Sequence, residues 1–246
     1  MVFETFSDQG IGPKCYFQNE NYRLEESYDS RPITIFEMRN PVFLNQIIEK
    51  TFKINYNEVL KSKLLEAGGG KFPTQVEILR NEWLPKLFEK YQYFYDMITV
   101  EEYKEAMHLV KSTYMREDVY DYIDGLSYQM QDDPEKLVVC HNDIQENNVL
   151  SMKNNAAKLA IIDYEYTSFG NREYDLANIF CELLMDNAHP YFPYIELYTE
   201  NALKREEYEA YSKFYLKLYY QNIYKGELSE DDYITQELPN FLESLY

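Results

Sequence analysis

Residues 137–150 read LVVCHNDIQENNVL. An apolar run breaks into His141, Asn142, Asp143, Gln145, Glu146, Asn147 and Asn148, then resumes at Val149. Two apolar flanks that bury themselves hold the loop between them on a rigid base. Loops of this kind are either well-capped turns or sites of chemistry, because binding and reacting groups concentrate on loops that a scaffold positions.

Moving outward, both flanks read as short β segments. Lys136–Cys140, Asn148–Met152 and Ala157–Tyr164 are rich in branched residues, and SMKNNAA (151–157) is a hairpin-like connection. Upstream the period is helical. Pro41 suits a first helical position, and Val42, Phe43, Ile47, Ile48 and Phe52 keep an apolar face at near-helical spacing. Val76–Met97 and Val100–Met130 read as two helical regions, the second with an interruption, ending at an acidic turn over 131–134. Between them AGGGKFP (67–73) is a connector: its glycines precede Lys71, but the phosphate-loop spacing and the following Ser or Thr are missing. Residues 1–28 hold a turn at Gly10, Gly12 and Pro13 and strand candidates at Lys14–Gln18 and Tyr22–Glu26, which must lean on other elements to be stable. Downstream, Leu176, Ile179, Phe180, Leu183 and Leu184 form one helical face, and Lys204–Ile223 is a long amphipathic helix.

Composition narrows the class of protein. With 246 residues and 45% hydrophobic content the chain can bury a sizeable core. Its 24 basic against 43 acidic residues give a formal charge of −19, which argues against nucleic acid or an anionic membrane surface as partner and welcomes cations. Cys15, Cys140 and Cys181 make no disulfide framework, and the start reads without a leader, so a cytoplasmic location is expected. No apolar run approaches the roughly 20 residues of a membrane helix, so no membrane insertion is expected.

Asp143 and Asp163 each stand at the edge of a short strand, with Asn148 five residues after the first. Phosphoryl transfer asks for this set: one carboxylate to accept the hydrogen bond of an attacking hydroxyl, and an Asn oxygen plus a second carboxylate to hold Mg²⁺ against nucleotide phosphates. H-x-D-x-x-x-x-N followed by a strand-borne Asp is the arrangement of kinase-like folds. The alternative, a set of turn and cap residues, does not account for the joint spacing.

Two blocks, CHNDIQENNVL (140–150) and IIDYEYTSFGNREYDLANIFCE (161–182), resemble the choline/ethanolamine kinase family. A weaker likeness at IGPKCYFQNENYRLEESYDSR (11–31) matches the approach to that family's inter-lobe hinge. The resemblance implies an α+β, protein-kinase-like fold: residues 1–28 a remnant of the small N-terminal lobe and hinge, and residues 29–246 the helical C-terminal lobe. That lobe would carry a short β-hairpin catalytic platform, a catalytic loop (137–152) and a metal and substrate segment (157–187). It implies Asp143 as catalytic base, Asn148 and Asp163 as Mg²⁺ ligands, and Glu25, Glu26 and Tyr28 at the ATP-binding hinge. Gln145, Glu165, Tyr166 and Glu182 fall at or beside substrate positions, where aromatic faces and a carboxylate would hold a quaternary ammonium.

The implied reaction is MgATP-dependent phosphorylation of choline to phosphocholine, in phospholipid biosynthesis. The pairs around Gln145-Glu146 and Phe180-Cys181-Glu182 look more like the choline-preferring branch than the ethanolamine-preferring one. Ethanolamine kinase is the alternative, as is a truncated or degenerate relative that only binds a ligand or partner, and a homodimer is the assembly expectation. His141 is read as a structural pin, Asp175 as a cap for the helix starting at Leu176 and an acceptor for the loop, and Cys140 and Cys181 as buried small apolar groups. Tyr191–Tyr198 is read as packing. The family pattern departs in four places. The Gly-rich loop, strand Lys and helix Glu are not among these residues; nor is the Trp-containing helix into which the family usually continues; Asn147 stands where Gly is usual, which suits a positive φ; and Asn187 stands where an aromatic is expected.

Overall fold

The computed structural model describes residues 1–70, 74–116, 118–131, 137–191 and 194–245. Helix α1 (Val2–Asp8) leads into a hairpin of β1 (Cys15–Gln18) and β2 (Arg23–Glu25). Strand β3 (Ser30–Pro32) precedes α2 (Ile35–Met38), whose first turn is closed by a reciprocal Thr34–Glu37 capping box. Then come α3 (Pro41–Asn55), opened by Asn40 accepting from the Val42 amide, and α4 (Glu58–Ala67). Helices α5 (Gln75–Ile78), α6 (Leu84–Met97), α7 (Glu101–Tyr114) and α8 (Val119–Gln131) follow. The remainder is β4 (Leu137–Cys140), β5 (Val149–Met152), β6 (Asn155–Ile161), β7 (Ser168–Asn171), α9 (Tyr174–Glu182), β8 (Met185–Asp186), β9 (Glu196–Leu197), α10 (Arg205–Asn222) and α11 (Glu230–Glu243).

The two apolar flanks of the central loop become strands of different sheets. Strand β4 pairs antiparallel with β7, from Leu137 opposite Asn171 to Cys140 opposite Ser168. Strand β5 sits between β6 and β3, with Val149 opposite Ile161 and Pro32 opposite Leu150. The loop is therefore anchored at each end by a separate ladder, and β3 ties the segment after the N-terminal hairpin to the same platform. Ser30–Pro32 carried no strand signal in the sequence, since three residues with a proline offer no alternation to read.

Several boundaries shift for physical reasons. The third β segment runs from Asn155 to Ile161 rather than Ala157 to Tyr164, because Asp163 has a φ of 65°, a left-handed conformation no strand accommodates. The helical region 76–97 carries a π-helical turn at Leu79–Trp83, where Pro85 has no amide hydrogen for the regular ladder. The region 100–130 does divide, into α7 and α8. The connector begins as a turn at Gly68, Gly69 and Gly70 after α4, the last two at positive φ, while Lys71–Pro73 and residues 132–136 lie outside the described residues.

The main core gathers Leu44, Ile47, Ile48, Phe52 and Ile54 of α3, Leu176, Ile179 and Phe180 of α9, and Tyr215 and Leu216 of α10 around Ile144, Val149, Ile161 and Phe169. Each such side chain contributes about 1.5–3 kcal/mol when fully buried. Val42 points outward at 62% exposure, so the buried stripe of α3 begins at Leu44. A smaller cluster of Val76, Leu84, Ile123 and Leu137 joins α5, α6 and α8 to the edge of β4. Cys140 is buried as its flank requires, whereas Cys181 is exposed on the outer side of α9, against the sequence reading.

Candidate active site

At the end of β4 the chain must leave the sheet abruptly, and Asn142 makes the turn with a φ of 68°. Asn is among the residues that accept this conformation at least cost. Two amides of this turn and one side chain from the end of α3 converge on one carboxylate in the first turn of α9. Asp175, wholly buried, accepts the His141 amide at 2.9 Å, the Asn142 amide at 2.9 Å and Asn55 Nδ2 at 2.8 Å. The helix N-terminus adds a favourable field for its charge. Burial raises its pKa, opposed by the nearby His141 and these hydrogen bonds. Asp175 does not cap its own helix, since the N-cap is Glu173 with no side-chain bond; its side chain turns instead to the loop. Asn55 is held in turn by Tyr215, whose hydroxyl donates to Asn55 Oδ1 at 2.7 Å.

His141 is fully buried, and its two ring nitrogens have opposite partners. The Asp143 amide can only donate, so Nδ1 accepts from it at 3.2 Å; the Ile162 carbonyl can only accept, so Nε2 donates to it at 2.9 Å. That pattern requires the neutral Nε2–H tautomer, and burial lowers the ring's pKa in the same direction. His141 therefore links the backbone of Asp143 to that of the residue preceding Asp163, as a pin. Tyr164 leans edge-on against the ring at 5.3 Å and closes it from solvent.

The three residues singled out by spacing are brought together. Asn148 Nδ2 donates to Asp143 Oδ2 at 2.8 Å and to the Asp143 carbonyl at 2.9 Å, which leaves Asn148 Oδ1 free of those bonds. The Ile162 amide donates to the Asn148 carbonyl at 2.9 Å, setting Asn148 beside the turn that carries Asp163. Among the described residues the Asp163 side chain has no hydrogen bond or ion pair. Its left-handed backbone, at a φ of 65°, follows directly on the β6 ladder and on Ile162, whose carbonyl His141 holds. Asn147 lies in a 3-10 turn spanning Glu146–Asn148 and is not among the positive-φ residues, so a glycine is not required there in this chain.

The substrate candidates do not form one cluster. Gln145 Nε2 approaches the Asp143 carboxylate at 3.4 Å and 3.5 Å. Glu165 and Tyr166 are exposed; the Tyr166 ring stands against Trp83 at 5.7 Å, and its carbonyl accepts from Asn142 Nδ2 at 2.7 Å. Glu182 lies apart from them, at the C-terminal end of α9, in a group with Glu146 and Asn187. Asn187 donates its amide to Glu146 Oε1 at 2.7 Å, and its Nδ2 to Glu182 Oε2 at 2.9 Å and Glu146 Oε2 at 3.3 Å. Asn178 joins this group to the base of the loop, accepting the Ile144 amide at 2.7 Å. Asn55 and Asn178 were missed in the sequence, although a polar residue inside an otherwise apolar helical face was their available signal.

Burial pushes the Glu182 carboxyl up to about 7, with Asn187 working against the shift. A carboxyl whose pKa rises on folding binds a proton in the native state that the unfolded chain has lost. Its contribution to stability is therefore full below about 4.5 and declines as pH rises through about 7. Glu182→Gln is expected to flatten that part of the profile and to raise the thermal midpoint above pH 7 relative to the parent chain. Parallel melts between pH 4.5 and 8 check this, and superimposable profiles would sink the assignment.

Glu25, Glu26 and Tyr28 line a cleft of about 370 Å³ together with Asp163. Burial is the main cause raising the Tyr28 pKa. The same cleft takes in Phe3 of α1 and Arg23 of β2, whose guanidinium lies 3.3 Å from the centre of the Phe3 ring. Neither was foreseen, because α1 has no strong apolar period in the sequence. Gly12 is needed where it is: a Cβ there would come within 2.9 Å of the Tyr164 ring.

A loop carboxylate tied to a loop amide, beside a second carboxylate at a strand end and backed by helices, is the arrangement of the kinase-like fold. In keeping with it, the structure superimposes on the choline kinase from Cryptosporidium parvum Iowa II with a TM-score of 0.61 at 21% identity, covering 99% of this chain and 66% of that one. On the Plasmodium vivax ethanolamine kinase the TM-score is 0.62 at 19% identity, covering 98% and 60%. The family profile for choline/ethanolamine kinase matches residues 1–244, and the chain belongs to that family. A choline/ethanolamine kinase of Mus musculus is 26% identical over 94% of this chain and 53% of its own length; one of Rattus norvegicus is 27% identical over 96% and 55%. The chain spans about half the length of the curated relatives it matches. Among the described residues no helix is long and apolar enough to cross a membrane.

Proposed function

We propose that this chain carries the chemistry of MgATP-dependent phosphoryl transfer to the hydroxyl of a small amino alcohol, choline or ethanolamine, within cytoplasmic phospholipid biosynthesis. The observation that carries the reading is the Asn148 amide: its nitrogen holds the Asp143 carboxylate at 2.8 Å, and its oxygen has no hydrogen bond among the described residues. Asp143 orients the substrate hydroxyl and accepts its proton. Its aim is set from three directions, by Asn148, by Gln145 and by His141 on its backbone amide.

Asn148 Oδ1 and the Asp163 carboxylate are hard oxygen donors with no competing partner among the described residues. They fit Mg²⁺, which takes one or two protein oxygens and completes its shell with water and phosphate. When bound, the metal neutralises charge on the transferring phosphate. In this reading Glu25, Glu26 and Tyr28, which line the same cleft as Asp163, receive the adenine, and Asp163 the phosphates. In this reading residues 1–28 are the hinge and a remnant of the small lobe, and residues 29–246 the helical lobe.

Phosphorylated amino alcohol should accumulate only with Mg²⁺ present when the chain is incubated with ATP and either amine, followed by phosphorus NMR. Asp163→Asn should raise the Mg²⁺ concentration for half-maximal nucleotide binding about tenfold or more, since it removes the one anionic donor of the proposed pair. An unchanged Mg²⁺ dependence would overturn the metal assignment.

A further inference from the structure

In a chain where 43 acidic side chains outnumber 24 basic ones, a lysine withdrawn from water should find a carboxylate. Lys50, half-buried on α3, has no hydrogen bond or ion pair among the described residues. Lys158, exposed on β6, has none either, and α3 packs against that strand. Burial first, then the positive charges of Lys53 and Lys158, lower the pKa of Lys50, with Glu49 opposing. Lys53 is itself paired with Glu49 at 2.7 Å, so Lys50 and Lys158 remain as two uncompensated cations within range of each other. Holding like charges together costs free energy that a bound anion would recover.

The space for such an anion is present. Lys50 and Lys53 line a cleft of about 240 Å³ whose apolar walls are Ile11, Ile54, Ile161 and Tyr164. Among its described lining residues there is no aspartate or glutamate. Gln9 also lines it; its Oε1 accepts from Asn57 at 2.6 Å, which leaves the side-chain nitrogen as a further donor. The cleft is distinct from the one that takes in Asp163, and Tyr164 is the one described residue common to both.

We propose that this second cleft binds the phosphate group of a small anion, inorganic phosphate or a phosphomonoester, with Lys50 and Lys158 as its cations. Two unpaired ammonium groups match a phosphate dianion, whereas a carboxylate would leave one of them uncompensated. Lysine serves phosphate as a point charge and needs no planar, two-pronged partner. The isoleucines and Tyr164 offer apolar surface to the organic part of an ester. A net charge of −19 repels anions from the surface at large, so an anion retained here is retained by local groups.

The full chain, labelled at its isoleucine methyls, should be titrated with inorganic phosphate, glycerol 3-phosphate and acetate and followed by NMR. Ile11, Ile54 and Ile161 report on this cleft, and Ile162 on the one with Asp163. Both phosphates should shift the first three signals saturably, and whichever binds more tightly tells an ester from the free ion as the preferred ligand. Acetate should bind about tenfold more weakly, and Lys50→Gln and Lys158→Gln should each weaken phosphate by about tenfold, the loss of one close charge pair. Neither lysine has a bond to lose, so the thermal midpoints should hold. Lys86→Gln makes the same change in net charge at an exposed pair with Glu82 on α6, and should leave the affinity as it is. Shifts confined to Ile162, or no saturable shift at millimolar phosphate, overturn the site. Acetate binding as tightly as phosphate overturns the match to a dianion. Affinity unchanged in both Lys50→Gln and Lys158→Gln, or lost equally in Lys86→Gln, overturns the role of the two lysines.

Discussion

Asp143→Asn is expected to lower the rate of phosphoryl transfer by about 10²–10⁴-fold, the range of a positioned general base, while leaving the thermal midpoint unchanged. The two halves of that expectation follow from the same geometry. Asn148 Nδ2 donates to Asp143 Oδ2 at 2.8 Å, and an asparagine at 143 can present its amide oxygen to that donor. The His141 bond goes to the backbone amide of residue 143, so the loop keeps its anchor. What the variant lacks is the negative charge that orients and deprotonates a hydroxyl. The parent chain and the variant should be compared at saturating ATP and Mg²⁺ with ethanolamine and with choline. Equal rates in the two would remove Asp143 from the reaction.

Asp175→Ala carries the largest expected effect on stability, about 3–5 kcal/mol. The methyl leaves the His141 and Asn142 amides without their acceptor and strips Asn55 Nδ2 of one of its two, the Val139 carbonyl at 2.9 Å remaining. It also withdraws the carboxylate that pins the backbone at Asn142, leaving the left-handed φ of 68° to the Asn142 side-chain bonds with the Tyr166 carbonyl and Ser168 Oγ. The consequence reaches beyond the loop, because Asn55 ties the same carboxylate to Tyr215 across the core. Urea unfolding should give a lower midpoint with a similar slope. A loss under about 1 kcal/mol would mean that water or a shifted side chain replaces the carboxylate, and the account of the turn would fail.

Sequence and structure divide this protein along a physical line. The proposed site was legible in one stretch, because Asp143 and Asn148 sit five residues apart on a single loop and the branched residues around them announce the strands that hold it. Asp163 was readable for the same reason, at the end of the strand that folds back against that loop. The family likeness lay in the same two blocks. The limits of the strands were less legible: β6 stops where a left-handed residue begins, and β3 is too short to carry a pattern.

What only the tertiary structure decided is which distant groups hold the loop in place. The Asn55–Asp175 bond spans 120 residues and the Tyr215–Asn55 bond 160, and a buried amide at the end of an apolar helix does not say where along the chain its acceptor lies. The role of His141 likewise needed coordinates, since its two nitrogens acquire opposite roles only once a carbonyl from residue 162 and an amide from residue 143 flank the ring. The bridge from Asn187 to Glu146 and Glu182 is of the same kind. The sequence alone singled out the candidate groups, because residue type and local spacing are read from it directly. Their aim and their protonation depend on burial and on partners far along the chain, and those exist only in the folded state.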